Sequence, residues 1–557
     1  MPDNGGQKNT IVKGTMILIG GNIVVKIIGA FFKLPLANIV GADGMGLYNA
    51  SFTVYDIFLV LSTAGYALAI SKMVSSCCAH GRDGEALAIL KTTRRLFFAV
   101  GLIFSLIMFT GARLFSQLIG NTRSYYCIIL LAPAVLFVSL MSSYRGYYQG
   151  INDMIPTTVS QIVEAIVRLV AGLSLSWYLK TKGYGIEIVS AGAIVGITLG
   201  EFSSTFTLAM IHKFKTKGKK PRRRCYNSSG RILKTLFATA IPIGISGIII
   251  SVINILDNSI VMHRLQSTGL TEQEANILYG AFNMAFTVFS LPVTIVMAVT
   301  TSVFPVLSYA HACGNSARVA KIAQGAMRIV MIASTAAAAI FLSLSKPIVS
   351  ILYFGQPRDA GIAVPLLILM GPAAVLISLS VITGTILQAV DKLMVPSYSM
   401  IVGGIVCLGF NWYLVGNPQI GIYGVPIGIS ICYLITSVCN LSALRRCGVR
   451  LDFRGGILRP LLPAALLAVV AAGLYFVTFP LLGLLAAAGL SICVSLVLYL
   501  FLLFASKTVE KDDLLMLPGG KKISAFFEKI HLLPKSPRNT TPFSQKPPLS
   551  HNLIMHK

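Results

Sequence analysis

Long apolar runs dominate this sequence and constrain its fold more than any other feature. A helix that crosses a bilayer needs about 20 apolar residues, and about fourteen runs of that length are present. They lie at residues 12–38, 47–74, 95–118, 125–148, 158–179, 189–211, 235–260, 277–308, 323–351, 362–388, 396–415, 420–441, 457–478 and 481–505. Soluble chains are about one quarter charged, whereas this chain is 12% charged and 55% hydrophobic. We therefore predict an all-α integral membrane protein with about fourteen transmembrane helices.

The net charge of +27 is concentrated in short segments between the apolar runs. Residues 213–234 hold ten Lys and Arg residues, and counting of crossings places the other strongly basic connections on the same side. Because basic loops remain in the cytoplasm, this pattern predicts that both termini are cytoplasmic. Nucleic-acid binding requires a continuous basic face with stacking aromatics, which the sequence lacks, so we predict no nucleic-acid partner.

An internal repeat divides the chain into two halves. SFTVY at residues 51–55 is echoed by AFTVF at 285–289, and GYYQG at 146–150 by GTILQA at 384–389. Repeats of this kind in transporters form two lobes around a cavity; the alternative is chance similarity of apolar segments. The predicted organisation is listed in chain order: a cytoplasmic N-terminus (1–11), a six-helix N-lobe (12–212), a basic cytoplasmic linker (213–234), a six-helix C-lobe (235–441), a helix pair (457–505) and a basic cytoplasmic tail (506–557).

Ionisable and amide side chains inside the predicted spans are the candidate substrate-binding residues. Such groups are costly in a bilayer and usually face a cavity or a partner. The candidates are Lys26, Lys33, Asp56, Glu164, Arg168, Glu201, Asn254, Asp257 and Asn283. Structural alternatives remain open: Glu164 and Arg168, four residues apart, can form an ion pair along one helix face, and Lys33 can extend to an interface. Glu201 follows two glycines, which suits a tight helix crossing.

The motifs of catalysis and cofactor binding are absent from the sequence. There is no GxxxxGK[ST] loop, no HExxH and no CxxC pair. The predicted external loops are too short for a catalytic domain. We therefore predict that the chain is not an enzyme and has no metal site or cofactor. A Na⁺ gradient, a H⁺ gradient, the membrane potential or the flux of the substrate would then supply the energy.

Two segments resemble a known family. GAFFKLPLANIVGADGMGLY at residues 29–48, and STAG at 62–65 with AISK at 69–72, are similar to the opening of the stage V sporulation protein B and polysaccharide-biosynthesis family. The order of features over residues 12–505 resembles the multidrug/oligosaccharidyl-lipid/polysaccharide exporter superfamily, which includes the MurJ-like lipid flippases.

The resemblance implies two lobes in a V-shaped arrangement, alternating access, and a last helix pair that lines a groove for a lipid tail. It also implies that a basic residue in the first helix binds pyrophosphate, and Lys33 occupies that position. Two residues depart from the flippase pattern. Leu34 stands where an aspartate is typical, and no arginine stands at Asn283 or its neighbour in the eighth helix.

The leading hypothesis is a flippase in a bacterial cell membrane. Its substrate would be an undecaprenyl-pyrophosphate-linked precursor of the cell wall or of a polysaccharide, with lipid II of spore cortex or peptidoglycan synthesis as one candidate. The predicted partners are this lipid-linked saccharide and membrane lipid. One alternative is a sodium- or proton-coupled multidrug exporter, and another is a non-transporting scaffold of a wall-synthesis complex, for which buried charges would be unnecessary.

Overall fold

The computed structural model describes residues 4–508 except positions 64, 217–228, 450, 453 and 507. Backbone groups in lipid must be paired within the chain, and helices achieve this here. The described residues form these α-helices: α1 (Asn4–Thr63), α2 (Tyr66–Ala79), α3 (Asp83–Thr110), α4 (Ala112–Leu118), α5 (Tyr125–Gly150), α6 (Ile155–Thr181), α7 (Ile186–Thr216), α8 (Ser229–Ser267), α9 (Glu272–Ala312), α10 (Ser316–Leu352), α11 (Pro357–Ala389), α12 (Val395–Val415), α13 (Gly424–Arg446) and α14 (Leu461–Ala505).

Helices α1 and α14 each reverse direction at a glycine. Gly41 has φ 67° and Gly483 has φ 73°, a left-handed conformation that favours glycine. The rings of Phe32 and Tyr48 are 6.2 Å apart, whereas a continuous helix would hold these positions about 24 Å apart. The part of the chain that the structure describes has 12 helices long and apolar enough to cross a membrane. The two reversals turn these into the fourteen predicted crossings.

The helices form two lobes and an added pair. In the N-lobe, α1, α3, α5, α6 and α7 pack on one another; in the C-lobe, α9, α10, α11, α12 and α13 do so. The α14 hairpin packs on α10. Helix α8 contacts both lobes, since its first turns lie on α2 and α3 and it also packs on α12. This architecture confirms the predicted all-α fold of two six-helix lobes and a C-terminal helix pair.

The turns that follow the fourth helix of each lobe share an unusual backbone. Asn152 has φ 58° and Asp391 has φ 63°, and no other described non-glycine residue has a positive φ. Pro156 and Pro396 then stand in the first turns of α6 and α12. These shared features support the internal repeat that the sequence predicts.

The helices extend beyond the predicted apolar runs. Helix α3 begins at Asp83, before the run at 95–118, and α1 begins at Asn4, inside the predicted N-terminal segment. Helical hydrogen bonding continues into polar residues outside the lipid, so hydropathy alone places these boundaries too far inward. Most of the predicted linker (217–228) and tail (507 and 509–557) lies outside the described residues.

The connections between helices lie at two ends of the bundle. The "basic end" carries connections 80–82, 151–154, 313–315, 390–394 and 447–460, together with the start of α8. The "closed end" carries the reversal of α1 and connections 111–124, 182–185, 268–271, 353–356 and 416–423.

Candidate functional site

A group of charged side chains occupies the interior of the N-lobe. We call Lys33, Arg145, Glu164, Arg168 and Glu201 the N-lobe polar cluster. Glu164 lies at its centre, where Oε2 accepts a hydrogen bond from Arg145 Nη2 and Oε1 accepts one from Arg168 Nη2, each at 2.9 Å. The exposed fractions of these three side chains are 13%, 18% and 25%. The ion pair predicted between Glu164 and Arg168 is therefore present. Glu164 also pairs with Arg145, and this second pair connects α6 to α5.

Close contact between α6 and α7 brings Glu201 to this bridge. A Cβ on Gly196 would lie 2.4 Å from Gly172 Cα, and one on Gly200 would lie 2.9 Å from Glu164 O. Small residues permit such close approach of helices in membranes. Glu201 is 7% exposed and lies close enough to Glu164 and Arg168 for their charges to act on its carboxyl group. Its Oε2 has no hydrogen-bond partner among the described residues.

Lys33 reaches the cluster from the first arm of α1. The neighbouring Phe32 ring packs over Gly172 of α6, where a Cβ would lie 2.8 Å from Phe32 Cε2. Lys33 is half-buried and lies within electrostatic range of Arg168. Within the part of the chain that the structure describes, it has no hydrogen bond and no ion pair. The cluster thus holds three cationic side chains for two carboxyl groups, and one cation is unpaired.

The sequence-based selection missed Arg145 and two tyrosines of this region. Arg145 lies within the predicted span 125–148, so the criterion used for the other candidates identifies it too. Tyr48 and Tyr55 are buried among the charged groups, and the Tyr55 hydroxyl has no partner among the described residues. Tyrosine is common in apolar spans, so the sequence carried no signal that distinguished these two.

Replacement of Glu164 by glutamine should destabilise the protein strongly. The change leaves Arg145 and Arg168 without their shared carboxylate, and removal of one partner of a buried ion pair costs about 3–5 kcal/mol. We expect a melting temperature several degrees lower in detergent, measured by a thermal unfolding assay. The exposed acid Asp83 provides the control, since Asp83→Asn should have little effect. Equal melting temperatures for the two variants would show that the bridge is not structural.

Asp56, another predicted residue, lies along the seam between α1 and α8. Ser251 Oγ donates to Asp56 Oδ2 at 2.7 Å, and Asn258 Nδ2 donates to Thr53 Oγ1 at 3.1 Å. Asp56 has no cationic partner among the described residues. The seam therefore joins the two lobes through polar contacts that avoid ion pairs.

Three further candidates lie outside the N-lobe polar cluster. Asn283 Nδ2 donates to Tyr279 O of its own helix at 2.8 Å. Lys26 and Asn254 are exposed, and neither has a hydrogen-bond partner among the described residues. The nine predicted residues are thus divided among several locations, and Lys33, Glu164, Arg168 and Glu201 are the four brought together.

Asp257 forms a separate acidic site inside the C-lobe. Its Oδ1 accepts a hydrogen bond of 2.6 Å from Asn411 Nδ2 of α12. Asn411 is fully buried, and its Oδ1 has no partner among the described residues. A buried amide oxygen of this kind is unusual. Cys407 lies in the same place, with its Sγ 3.6 Å from Asn411 Nδ2.

At the closed end, Arg123 joins several helices. Arg123 Nη1 and Nη2 form a bidentate pair with Asp43 at 2.9 and 3.0 Å, and Nη2 lies 2.7 Å from Glu187 Oε1. Asn276 of the C-lobe donates to Asp43 O at 2.7 Å and accepts a hydrogen bond of 2.6 Å from Asn121. Bidentate charged pairs are among the strong hydrogen bonds. The pair of Arg123 with Asp43 fixes the position of Asp43 in the N-lobe, where Asn276 of the C-lobe contacts it.

Backbone contacts complete the closure of this end. A Cβ on Gly280 of α9 would lie 1.7 Å from Ala42 O, so only glycine fits at this position. Ala42 N donates to Asp359 Oδ2 at 2.6 Å, and Asn38 Nδ2 donates to Leu352 O at 2.8 Å. The reversal of α1 is therefore held directly against the C-lobe.

Comparisons with curated proteins identify relatives of similar length. Stage V sporulation protein B of Bacillus subtilis (strain 168) is 24% identical over 444 residues, covering 79% of this chain and 84% of the relative. Lipid II flippase MurJ of the same organism is 25% identical over 458 residues, covering 79% of this chain and 83% of the relative. The apolar helices and these relatives together show that the chain is a multi-pass membrane protein.

Two solved structures share the fold. Lipid II flippase MurJ in an inward closed conformation superposes with a TM-score of 0.67 at 14% identity, covering 93% of this chain and 100% of that one. An inward-facing multidrug resistance MATE family transporter of the MOP superfamily superposes with a TM-score of 0.62 at 15% identity, covering 75% and 93%. Both likenesses agree with the helical fold that the sequence predicts.

The relatives also bear on whether this chain is an enzyme and on its family. Flippases and transporters move molecules without a catalytic reaction, and the prediction that the chain is not an enzyme is confirmed. The family model described as polysaccharide biosynthesis protein matches residues 11–311, more than half of the 557-residue chain. The chain therefore belongs to the polysaccharide biosynthesis protein family.

Proposed function

We propose that this protein is a flippase for a precursor linked to undecaprenyl pyrophosphate, used in cell-wall or polysaccharide synthesis. The observation that carries the proposal is the N-lobe polar cluster, with its unpaired Lys33. A pyrophosphate needs cationic partners, and lysine provides a compact point charge for it. Lipid II is a specific candidate, because the relatives include a protein named lipid II flippase.

The architecture suits a substrate with a large polar head and a long apolar tail. The α14 hairpin carries exposed apolar side chains, among them Phe476 at 82% and Leu481 at 79%. In the proposed mechanism the polyprenyl tail stays in the lipid along this hairpin while the charged head crosses between the lobes. Membrane lipid is then the second partner of the protein.

The proposed transport cycle alternates access between the two ends. We assign the basic end and both termini to the cytoplasm, since the positive-inside rule supports this orientation. The contacts of Arg123, Asp43 and Asn276 then close the external end in the present state. Release of the substrate requires that these contacts break and that the basic end closes.

A cation coupled to transport has a favourable site at Asp257. The carboxylate has no cationic partner within the described chain, and its hydrogen-bond partner Asn411 carries an unpaired Oδ1 that faces Gly428 of α13. This arrangement favours sodium or proton coupling and also supports the second candidate function, export of small organic cations. A membrane scaffold remains the weaker alternative, because buried charges cost stability and a scaffold has no need of them.

The proposal is tested in proteoliposomes that contain the full chain and a fluorescent polyprenyl-pyrophosphate-linked saccharide. We expect the labelled head to become accessible to an external quencher, and lipid II and a second lipid-linked saccharide distinguish the substrates. A cationic dye in parallel vesicles tests the exporter. Dye movement driven by an imposed Na⁺ or H⁺ gradient, without movement of either lipid, would overturn the flippase assignment. Movement of neither substrate would leave the scaffold as the better description.

A further inference from the structure

A cleft between α12 and α13 opens at the basic end, away from the N-lobe polar cluster. Its volume is about 580 Å³, within the range of ligand-binding clefts. Val395, Val402 and Val438 line it together with Tyr398, and Lys392 and Arg446 stand at its rim. The cleft is therefore an apolar surface bounded by two cations.

The two cations are available to a ligand. Lys392 and Arg446 are exposed, and neither has a side-chain hydrogen bond or ion pair within the described residues. Asp391 is adjacent in sequence, but it lies 3.4 Å from His311 and does not line the cleft. The N-terminus of α12 and the C-terminus of α13 both lie at this rim, so their helix dipoles oppose each other and the side-chain cations set the field. An anionic group at the rim would thus meet no competing carboxylate of the cleft lining.

The charged and apolar parts of the cleft lie at different depths. Val402 is seven residues along α12 from Val395, which places it about 10 Å deeper. Val438 and Arg446 are separated by about 12 Å along α13 by the same measure. The helices meet below the cleft, where a Cβ on Gly403 would lie 2.6 Å from Cys432 O. The cleft therefore has a charged rim, apolar walls and a closed floor.

We infer that this cleft binds an anionic phospholipid. Its phosphate would lie between Lys392 and Arg446, and one acyl chain would extend along Val402 and Val438. Basic pockets between transmembrane helices are suited to anionic headgroups, and the apolar depth distinguishes a lipid from a free phosphate. The inference does not depend on the proposed flippase activity, because the cleft lies on the C-lobe surface and shares no residue with the cluster.

The test measures lipid binding by the purified full chain in detergent. Native mass spectrometry and thermal shift titrations use phosphatidylglycerol, phosphatidylcholine and glycerol 3-phosphate as probes. We expect phosphatidylglycerol to bind at least about tenfold more tightly than phosphatidylcholine. Lys392→Ala with Arg446→Ala should weaken phosphatidylglycerol binding by about tenfold or more, since each basic residue near a membrane surface contributes appreciably to attraction of anionic lipid.

Matched variants separate the cleft from general surface charge. Lys91→Ala with Arg445→Ala removes the same charges from exposed positions that do not line the cleft, and binding should stay within about twofold. Val438→Trp fills the apolar wall and keeps both cations, so it should weaken lipid binding as well. Equal losses in the two double variants, equal binding of phosphatidylcholine, or an equal shift with glycerol 3-phosphate would each overturn the proposal. Size-exclusion profiles that match the wild type show that the variants fold.

Discussion

Replacement of Lys33 by alanine should abolish transport of the lipid-linked substrate while leaving the protein folded. Lys33 is the unpaired cation of the N-lobe polar cluster, half-buried and close to Arg168. Since it has no partner within the described residues, its removal leaves no buried charge without a partner. The alanine variant nevertheless lacks a cation that would bind the pyrophosphate of the substrate. We expect transport to fall roughly 30-fold or more, because loss of one member of a desolvated charge pair costs about 2–5 kcal/mol.

The measurement combines complementation of a flippase-depleted strain with the quenching assay in proteoliposomes. Lys33→Arg should retain most activity, since the positive charge remains. Lys91→Ala removes an exposed lysine elsewhere in the N-lobe and serves as the matched control. Full complementation by Lys33→Ala, at normal expression, would show that this lysine does not bind the substrate.

The crossings could be predicted because lipid imposes them. A chain with apolar runs of spanning length has few alternatives to helices, and all the predicted crossings are present. The bounds were less predictable: α3 begins at Asp83 because polar residues continue a helix outside the lipid. The reversals at Gly41 and Gly483 depend on backbone conformation, and many other glycines of this sequence remain within straight helices.

The candidate site was predictable where its partners are close in sequence. Glu164 and Arg168 are one helical turn apart, so their pairing follows from helix geometry. Arg145 is 19 positions from Glu164, and its pairing depends on how α5 packs against α6. The same holds for Asp257 and Asn411, 154 positions apart. Pairing between helices is decided by tertiary packing, which periodicity within one helix does not encode.

A disulfide between the lobes at the closed end should stop transport. A Cβ on Gly355 would lie 3.5 Å from Asn38 Cβ, within the range found for disulfides. Asn38 belongs to α1 of the N-lobe and Gly355 to the α10–α11 connection of the C-lobe. In the variant Asn38→Cys with Gly355→Cys, an oxidant should therefore lock the closed end. We expect transport to fall to background on oxidation and to recover on reduction.

The controls follow from what each substitution removes. Asn38 Nδ2 donates to Leu352 O, and Asn38 Oδ1 accepts from Gly355 N at 3.0 Å, so Asn38→Cys alone measures the loss of these contacts. Gly355→Cys alone keeps the backbone N–H and measures the effect of the added side chain. The wild type with oxidant measures the effect on the native cysteines, of which Cys313, Cys447 and Cys493 are exposed. A gel-shift assay with a thiol reagent reports the cross-linked fraction. If fully cross-linked protein still transports, this end does not open during transport. The substrate would then have to leave by a path that bypasses the contacts of Arg123, Asp43 and Asn276.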